Sequence, residues 1–145
     1  MLILRRFNIT DLPQVYDLAC TELKERYTPE LFLNVFSCWS DGFIVIEDNR
    51  QIQGFILGIT ISKREARILM LAVKDEMKRR GLGTILFREF CSKCAMRGIH
   101  YITLEVRKSN LPAINFYKKM GFEIAGEINQ YYSDGESAYR MHLFL

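Results

Sequence analysis

The feature that most constrains this chain is a basic glycine turn set between an apolar strand and an amphipathic helix. Arg67 to Val73 (RILMLAV) reads as a strand, and its nearly unbroken apolar run suits one covered on both faces. Lys78-Arg79-Arg80-Gly81-Leu82-Gly83 comes next, and then Leu82, Leu86, Phe90 and Cys94 recur at four-residue spacing with Arg88, Ser92 and Lys93 turned away. Strand, glycine turn, helix is a physical recipe for binding an anion. The first helical turn leaves backbone N–H groups without acceptors, and the helix dipole adds positive charge there. Gly81 and Gly83 carry no Cβ, so a diphosphate can approach the backbone, and Arg79 and Arg80 add charge around it. The GxxxxGK[ST] spacing of a Walker A loop is absent. A GxGxxG dinucleotide fingerprint would follow the first strand of a βαβ unit, whereas this turn follows the fourth strand.

The remaining pattern builds outward from that turn. Leu2 to Arg6 reads as a strand. A helix follows in which Thr10 or Asp11 serves as cap, Pro13 is tolerated in the first turn, and Val15, Leu18 and Ala19 share a face. Thr28-Pro29 opens a second short helix carrying Leu31, Phe32, Val35 and Phe36. GFIVIE (42–47) and IQGFILGITI (52–61) are strands joined by Asp48-Asn49-Arg50-Gln51. HYITLEV (100–106) is a strand, 110–120 a short helix ended by Gly121, and 122–125 and 138–145 are closing strands. The expected order is β-α-α-β-β-β-α-β-α-β-β, an α/β (α+β) fold with a mixed sheet and helices on both faces.

Composition sets the outer limits. With 145 residues, 49% hydrophobic and 26% charged, the chain reads as one globular domain spanning 1–145. No apolar run approaches the roughly 20 residues of a membrane span, and the first apolar stretch is too short for a signal peptide, so a cytoplasmic location and no membrane partner are expected. A net charge of +3 does not demand nucleic acid. Lys74, Lys78, Arg79 and Arg80 suggest one local anion site, although a basic cluster by itself also fits a solvated loop. Cys91-Ser92-Lys93-Cys94 has C-x-x-C spacing but no second pair to complete a zinc site and lies inside a helical pattern. All four cysteines, Cys20 and Cys38 included, are expected as buried reduced thiols, and no metal is expected.

At the glycine turn the sequence resembles the GNAT N-acetyltransferases, whose (Q/R)-x-x-G-x-(G/A) segment holds the pyrophosphate of acetyl-CoA through successive backbone amides. Lys78 stands where that family has Gln or Arg. The likeness runs through LMLAV, KRRGLG, Leu104 to Asn110, Ala113-Ile114-Asn115-Phe116-Tyr117, Gly121-Phe122 and YYSDGESAY (131–139). Its later segments are similar, more narrowly, to ribosomal-protein N-terminal acetyltransferases and to the catalytic subunits of protein N-terminal acetyltransferases. The resemblance implies a mostly antiparallel sheet of about seven strands flanked by about four helices, with acetyl-CoA as cosubstrate. It implies cofactor contacts along Leu71, Ala72 and Val73, through Lys78, Arg79, Arg80, Gly81, Leu82, Gly83 and Thr84, and at Asn110 and Tyr117.

It also implies roles for single side chains. Glu105 is the polar residue in an apolar strand; read alone it faces solvent, but the ribosomal-protein enzymes place a Glu there as general base. Tyr117, twelve residues on, reads alone as core packing; at that spacing the resemblance makes it the acid that protonates the coenzyme A thiolate. Asn110 is equally a helix cap. Glu25 and Tyr27 resemble the Glu-x-Tyr of a loop that lines the peptide site, Glu25 as a second catalytic carboxylate and Tyr27 as a substrate contact. Tyr131 and Tyr132 are adjacent aromatics in a polar loop that cannot both face a core, so they are expected to clamp an acceptor. Neither His100 nor His142 lies in a motif. The acceptor implied is a protein or peptide N-terminus, attacked directly by its own amine, with association to a ribosome or auxiliary subunit and a monomeric or homodimeric state left open. With the last strand ending at Leu145, a built-in ribosome anchor is not expected. The rival expectations are acetylation of a small amine, polyamine or lysine side chain, and a non-catalytic acyl-CoA-binding module.

Overall fold

The computed structural model of the chain describes residues 1–145. Its elements are β1 (Leu2–Arg6), α1 (Leu12–Glu22), α2 (Pro29–Cys38), β2 (Phe43–Asp48), β3 (Gln51–Thr60), β4 (Glu65–Val73), α3 (Leu82–Met96), β5 (Tyr101–Arg107), α4 (Leu111–Lys119), β6 (Glu123–Ile128) and β7 (Ala138–Phe144). This is the expected order, in a single seven-stranded sheet running β1-β2-β3-β4-β5-β7-β6. Every neighbouring pair is antiparallel except β4 and β5.

Two cores sandwich the sheet. On one face Leu82, Leu86, Phe87, Phe90 and Cys94 of α3, with Ile114 and Tyr117 of α4, pack on Ile56, Ile68, Ile102, Leu104 and Met141. On the other, Val15, Leu18 and Ala19 of α1 and Phe32 and Val35 of α2 pack on Phe43, Phe55, Leu57, Met70 and Ala72. No residue of β5, β6 or β7 joins this second core, so that face of the sheet's far end is left free of helices.

Two features place the site. The first is a bulge at Leu57/Gly58, where Leu69 is passed over between the pairs Leu57↔Met70 and Gly58↔Ile68. An extra residue reverses the parity of a strand. Ala66 and Ile68 therefore face α3, whereas beyond the bulge Met70 and Ala72 face α1 and α2. Gly58 permits the close approach, since a Cβ there would lie 2.5 Å from the Phe90 ring and 2.6 Å from the Arg67 carbonyl oxygen. The second feature is a splay. β4 and β5 pair only from Glu65↔Tyr101 to Ile68↔Leu104, although β4 runs on to Val73 and β5 to Arg107.

The structure corrects several expectations. β4 is not covered on both faces, because Leu69 at the bulge is 38% exposed. A short turn at Ile9–Asp11 precedes α1, and its cap is Asn8, in a reciprocal box with Asp11. Asp11 does stand at the N-cap position of α1, but its side chain makes no cap hydrogen bond to that helix and is gripped by both terminal nitrogens of Arg5 at 2.8 Å. Of the four cysteines only Cys94 is buried, and Cys20 and Cys38 are exposed. β6 extends three residues further than its apolar pattern indicates.

Candidate active site

The glycine turn is a cradle of unspent amides. Arg79 and Gly81 both adopt left-handed backbone, φ 66° and 81°, and a Cβ at Gly81 would meet nothing within 4 Å. Alternation of hand in a short run turns successive N–H groups toward one point. None of the amides from Arg79 to Thr84 has a backbone acceptor; on either side Lys78 N–H donates to Asp75 and Ile85 N–H to Gly81. Helix α3 starts at Leu82, which aims its positive end at the same place. Lys78 does not use its ammonium here. It hydrogen-bonds Glu22 at 2.7 Å, with Asp75 at 3.5 Å, and so ties the turn to the end of α1.

A cavity of about 610 Å³ opens from this cradle toward the splay. Leu71, Val73, Lys78, Arg79, Gly81, Leu82, Gly83, Thr84 and Tyr117 line it together. Ala72, Arg80 and Asn110 are not in its lining. The Ala72 side chain lies in the opposite core, and Asn110 caps α4 by accepting from the Ala113 amide at 3.2 Å. Met77, Lys119 and Met120, which lie in no motif, also line the cavity, as does Phe116 from the segment that carries Tyr117. Tyr117 packs against Phe116 and Phe122 in the core, and desolvation pushes its phenol well above the usual range.

On the other side of the sheet opening sits Glu105, its side chain 10% exposed. Oε1 is shared by Arg140, at 3.2 Å from β7, and Arg67, at 3.4 Å from β4. Oε2 is buried and has no hydrogen-bond partner, and neither has the Nε of Arg140. Arg67 has two further partners: Nε donates to Thr103 at 3.0 Å and Nη2 to Glu65 at 3.3 Å. Tyr131 approaches Glu105 from the loop between β6 and β7, and the carboxylate raises the phenol's pKa, with burial adding to it.

Glu25, Tyr27 and Tyr132 gather a few residues along the same face, around Arg107. The guanidinium donates to both oxygens of Glu25 at 2.8 and 2.9 Å, to Asp134 at 2.8 Å and to Glu136 at 2.9 Å. It also stacks 4.0 Å from the centre of the Tyr132 ring. Desolvation first, then Glu25, pushes the phenols of Tyr27 and Tyr132 each to about 12. Tyr131 and Tyr132 therefore differ: the first is 48% exposed and the second half-buried under a cation. Arg67 and Arg140 lie in no sequence motif, and Arg107 lies in the Leu104 to Asn110 segment, which assigns it no role. A signal existed for Arg107, which lies two residues beyond Glu105 and so on the same strand face.

Fold and site together define an acyltransferase. The chain belongs to the acetyltransferase (GNAT) family, matched over residues 12–122, and is an N-acetyltransferase. It is 32% identical to an N-alpha-acetyltransferase of Sulfurisphaera tokodaii, covering 95% of this chain and 90% of that one. It is also 32% identical to a putative ribosomal protein bS18-alanine N-acetyltransferase of Bacillus subtilis, over 92% and 89% of the two chains. The crystal structure of Ard1 from Thermoplasma volcanium superposes with a TM-score of 0.96 at 39% identity, covering 99% of this chain and 97% of that one.

Proposed function

We propose that the chain transfers the acetyl group of acetyl-CoA to the α-amino group of a protein or peptide N-terminus. The observation that carries this is the position of Glu105: nine-tenths buried, with a free oxygen, at the one gap in the sheet and across from a cavity that ends in an anion cradle. The residues present fit acetyl-CoA. The amides of Arg79 to Thr84 would hold its pyrophosphate, and the apolar wall of Leu71, Val73 and Phe116 would lie along its pantetheine arm. Bound there, the cosubstrate supplies an activated acetyl thioester.

Within that frame Glu105 takes a proton from the acceptor ammonium, and the freed amine attacks the thioester carbonyl. Unpaired backbone groups of β4 at the splay polarise that carbonyl. The carbon–sulfur bond breaks, Tyr117 gives its proton to the departing thiolate, and the nitrogen, now part of the amide, releases its second proton to water. Attack is direct, because no cysteine lines the cavity. Burial also pushes the thiols of Cys91 and Cys94 to about 11 and about 12, which keeps them protonated at neutral pH. Glu25 is a positioning residue in this reading, since Arg107 occupies both of its oxygens.

The relatives named for protein N-termini support a peptide acceptor over a polyamine. The charge of the groove does not by itself separate the two, since Glu25, Asp134 and Glu136 share the single Arg107. Thioester consumption measured with N-terminal peptides, lysine peptides and polyamines tests this directly, and turnover confined to polyamines would overturn it. Glu105→Gln is expected to lower kcat about 100-fold or more while the KM for acetyl-CoA stays within about twofold. Unchanged kcat would remove Glu105 from the proton path.

A further inference from the structure

We propose that Arg140 recognises the first carbonyl of the acceptor, so that the site selects amines belonging to a peptide N-terminus over amines that lack a neighbouring carbonyl. This rests on the acceptor reading given above and names the residue that would enforce it.

Glu105 and Arg140 stand directly opposite each other in the β5–β7 ladder. Only one atom of each meets the other: Arg140 Nη2 donates to Glu105 Oε1 at 3.2 Å. Their remaining buried atoms, Glu105 Oε2 and Arg140 Nε, are the only buried side-chain nitrogen or oxygen atoms in the chain without a hydrogen-bond partner. One is an acceptor and the other a donor, on side chains that already touch. Arg67 does not satisfy Oε2 either: its Nη1 lies 3.4 Å from Oε1, while Nε and Nη2 donate to Thr103 and Glu65. Buried polar groups left unmade are costly, so a molecule that supplies a donor and an acceptor together is favoured at this spot.

A peptide N-terminus has that pairing built in. Its amine hydrogen meets Glu105 Oε2, and its first carbonyl oxygen, three bonds away, meets Arg140 Nε–H. A lysine side chain or a polyamine offers the donor but has no acceptor at that reach, and leaves the guanidinium N–H unmade. Sites built to hydrogen-bond a substrate group discriminate strongly against analogues that lack it. Access comes through the loop, since Tyr131 lies against Glu105 and is itself half exposed. An acceptor displaces a surface side chain there and leaves the core undisturbed.

The test compares kcat/KM for an N-terminal peptide and for its isostere in which an (E)-alkene replaces the first peptide bond. Both are run on the wild type, Arg140→Met and Arg140→Lys. The lysine keeps a cation beside Glu105 but has one nitrogen in place of three, so it cannot meet Oε1 and the carbonyl from two separate atoms, and it answers if the methionine variant fails to fold. The wild type is expected to prefer the natural peptide about tenfold or more, the two variants to favour it by less than about twofold, and the KM for acetyl-CoA to be unchanged in all three. A wild-type preference retained in either folded variant overturns the assignment; Oε2 and Nε would then serve only to hold a bridging water. No peptide turnover by the wild type overturns the acceptor reading and this inference together.

Discussion

Tyr117 is held on two sides by Phe116 and Phe122, and nothing in its surroundings favours a phenolate. Burial raises its pKa, so the proton needed by a leaving thiolate is present throughout the neutral and mildly alkaline range. The sign for stability follows from the same shift: the contribution is whole below the ordinary phenol pKa of about 10 and is lost as pH rises through the higher folded value. Tyr117→Phe keeps the ring packing and removes only the hydroxyl that carries the proton. It is expected to reduce kcat at least about tenfold at every pH from 6 to 9, to leave the neutral-pH melting temperature nearly unchanged and to flatten the loss of stability above pH 10, as thermal melts across pH would record. A fall in activity matched by a fall in melting temperature would assign Tyr117 to packing alone.

At the level of elements, the β3–β4 bulge decides which residues of β4 see the cavity. Gly58→Ala is expected to destabilise the protein by about 1–3 kcal/mol, read as a lower urea midpoint, because its Cβ meets both the Phe90 ring and a backbone oxygen. Element order was readable in the sequence, since apolar spacing changes cleanly from helical in Leu82–Cys94 to alternating in His100–Val106. The bulge was not, because RILMLAV is apolar on either parity and one skipped residue leaves no trace in such a run. Glu105 stood out as the single carboxylate in its strand. Its partner Arg140 did not, because cross-strand pairing depends on the register of β5 with β7, which no local pattern encodes. The outward position of Cys20 was legible in principle: it falls one residue past Ala19, on the side of α1 away from Val15 and Leu18.

Across the whole molecule, Arg107 joins parts distant in sequence: the loop after α1 through Glu25, and the loop between β6 and β7 through Asp134, Glu136 and Tyr132. Arg107→Met is expected to raise the KM for peptide about tenfold or more with little change in the KM for acetyl-CoA, since only the acceptor side loses its tie. Hydrogen bonds from the Glu136 amide and then Arg107 hold Asp134 below the usual carboxylate range, and those from Ser109 and then Arg107 do the same for Glu136. Their stabilising effect is therefore complete above pH about 4 and lost as pH falls through the lower folded values, so acid unfolding should be shallower in the variant. The splay carries a different implication. Where β4 and β5 part, the sheet lacks a stretch of ladder, and under the proposed function a bound acetyl-CoA arm would take the place of the missing strand. Occupancy then raises stability by RT ln(1 + [L]/Kd), about 2.7 kcal/mol at a hundredfold excess over Kd. A melting temperature that rises with acetyl-CoA concentration would show it; in a cell, the lifetime of this protein would then follow the supply of its own substrate.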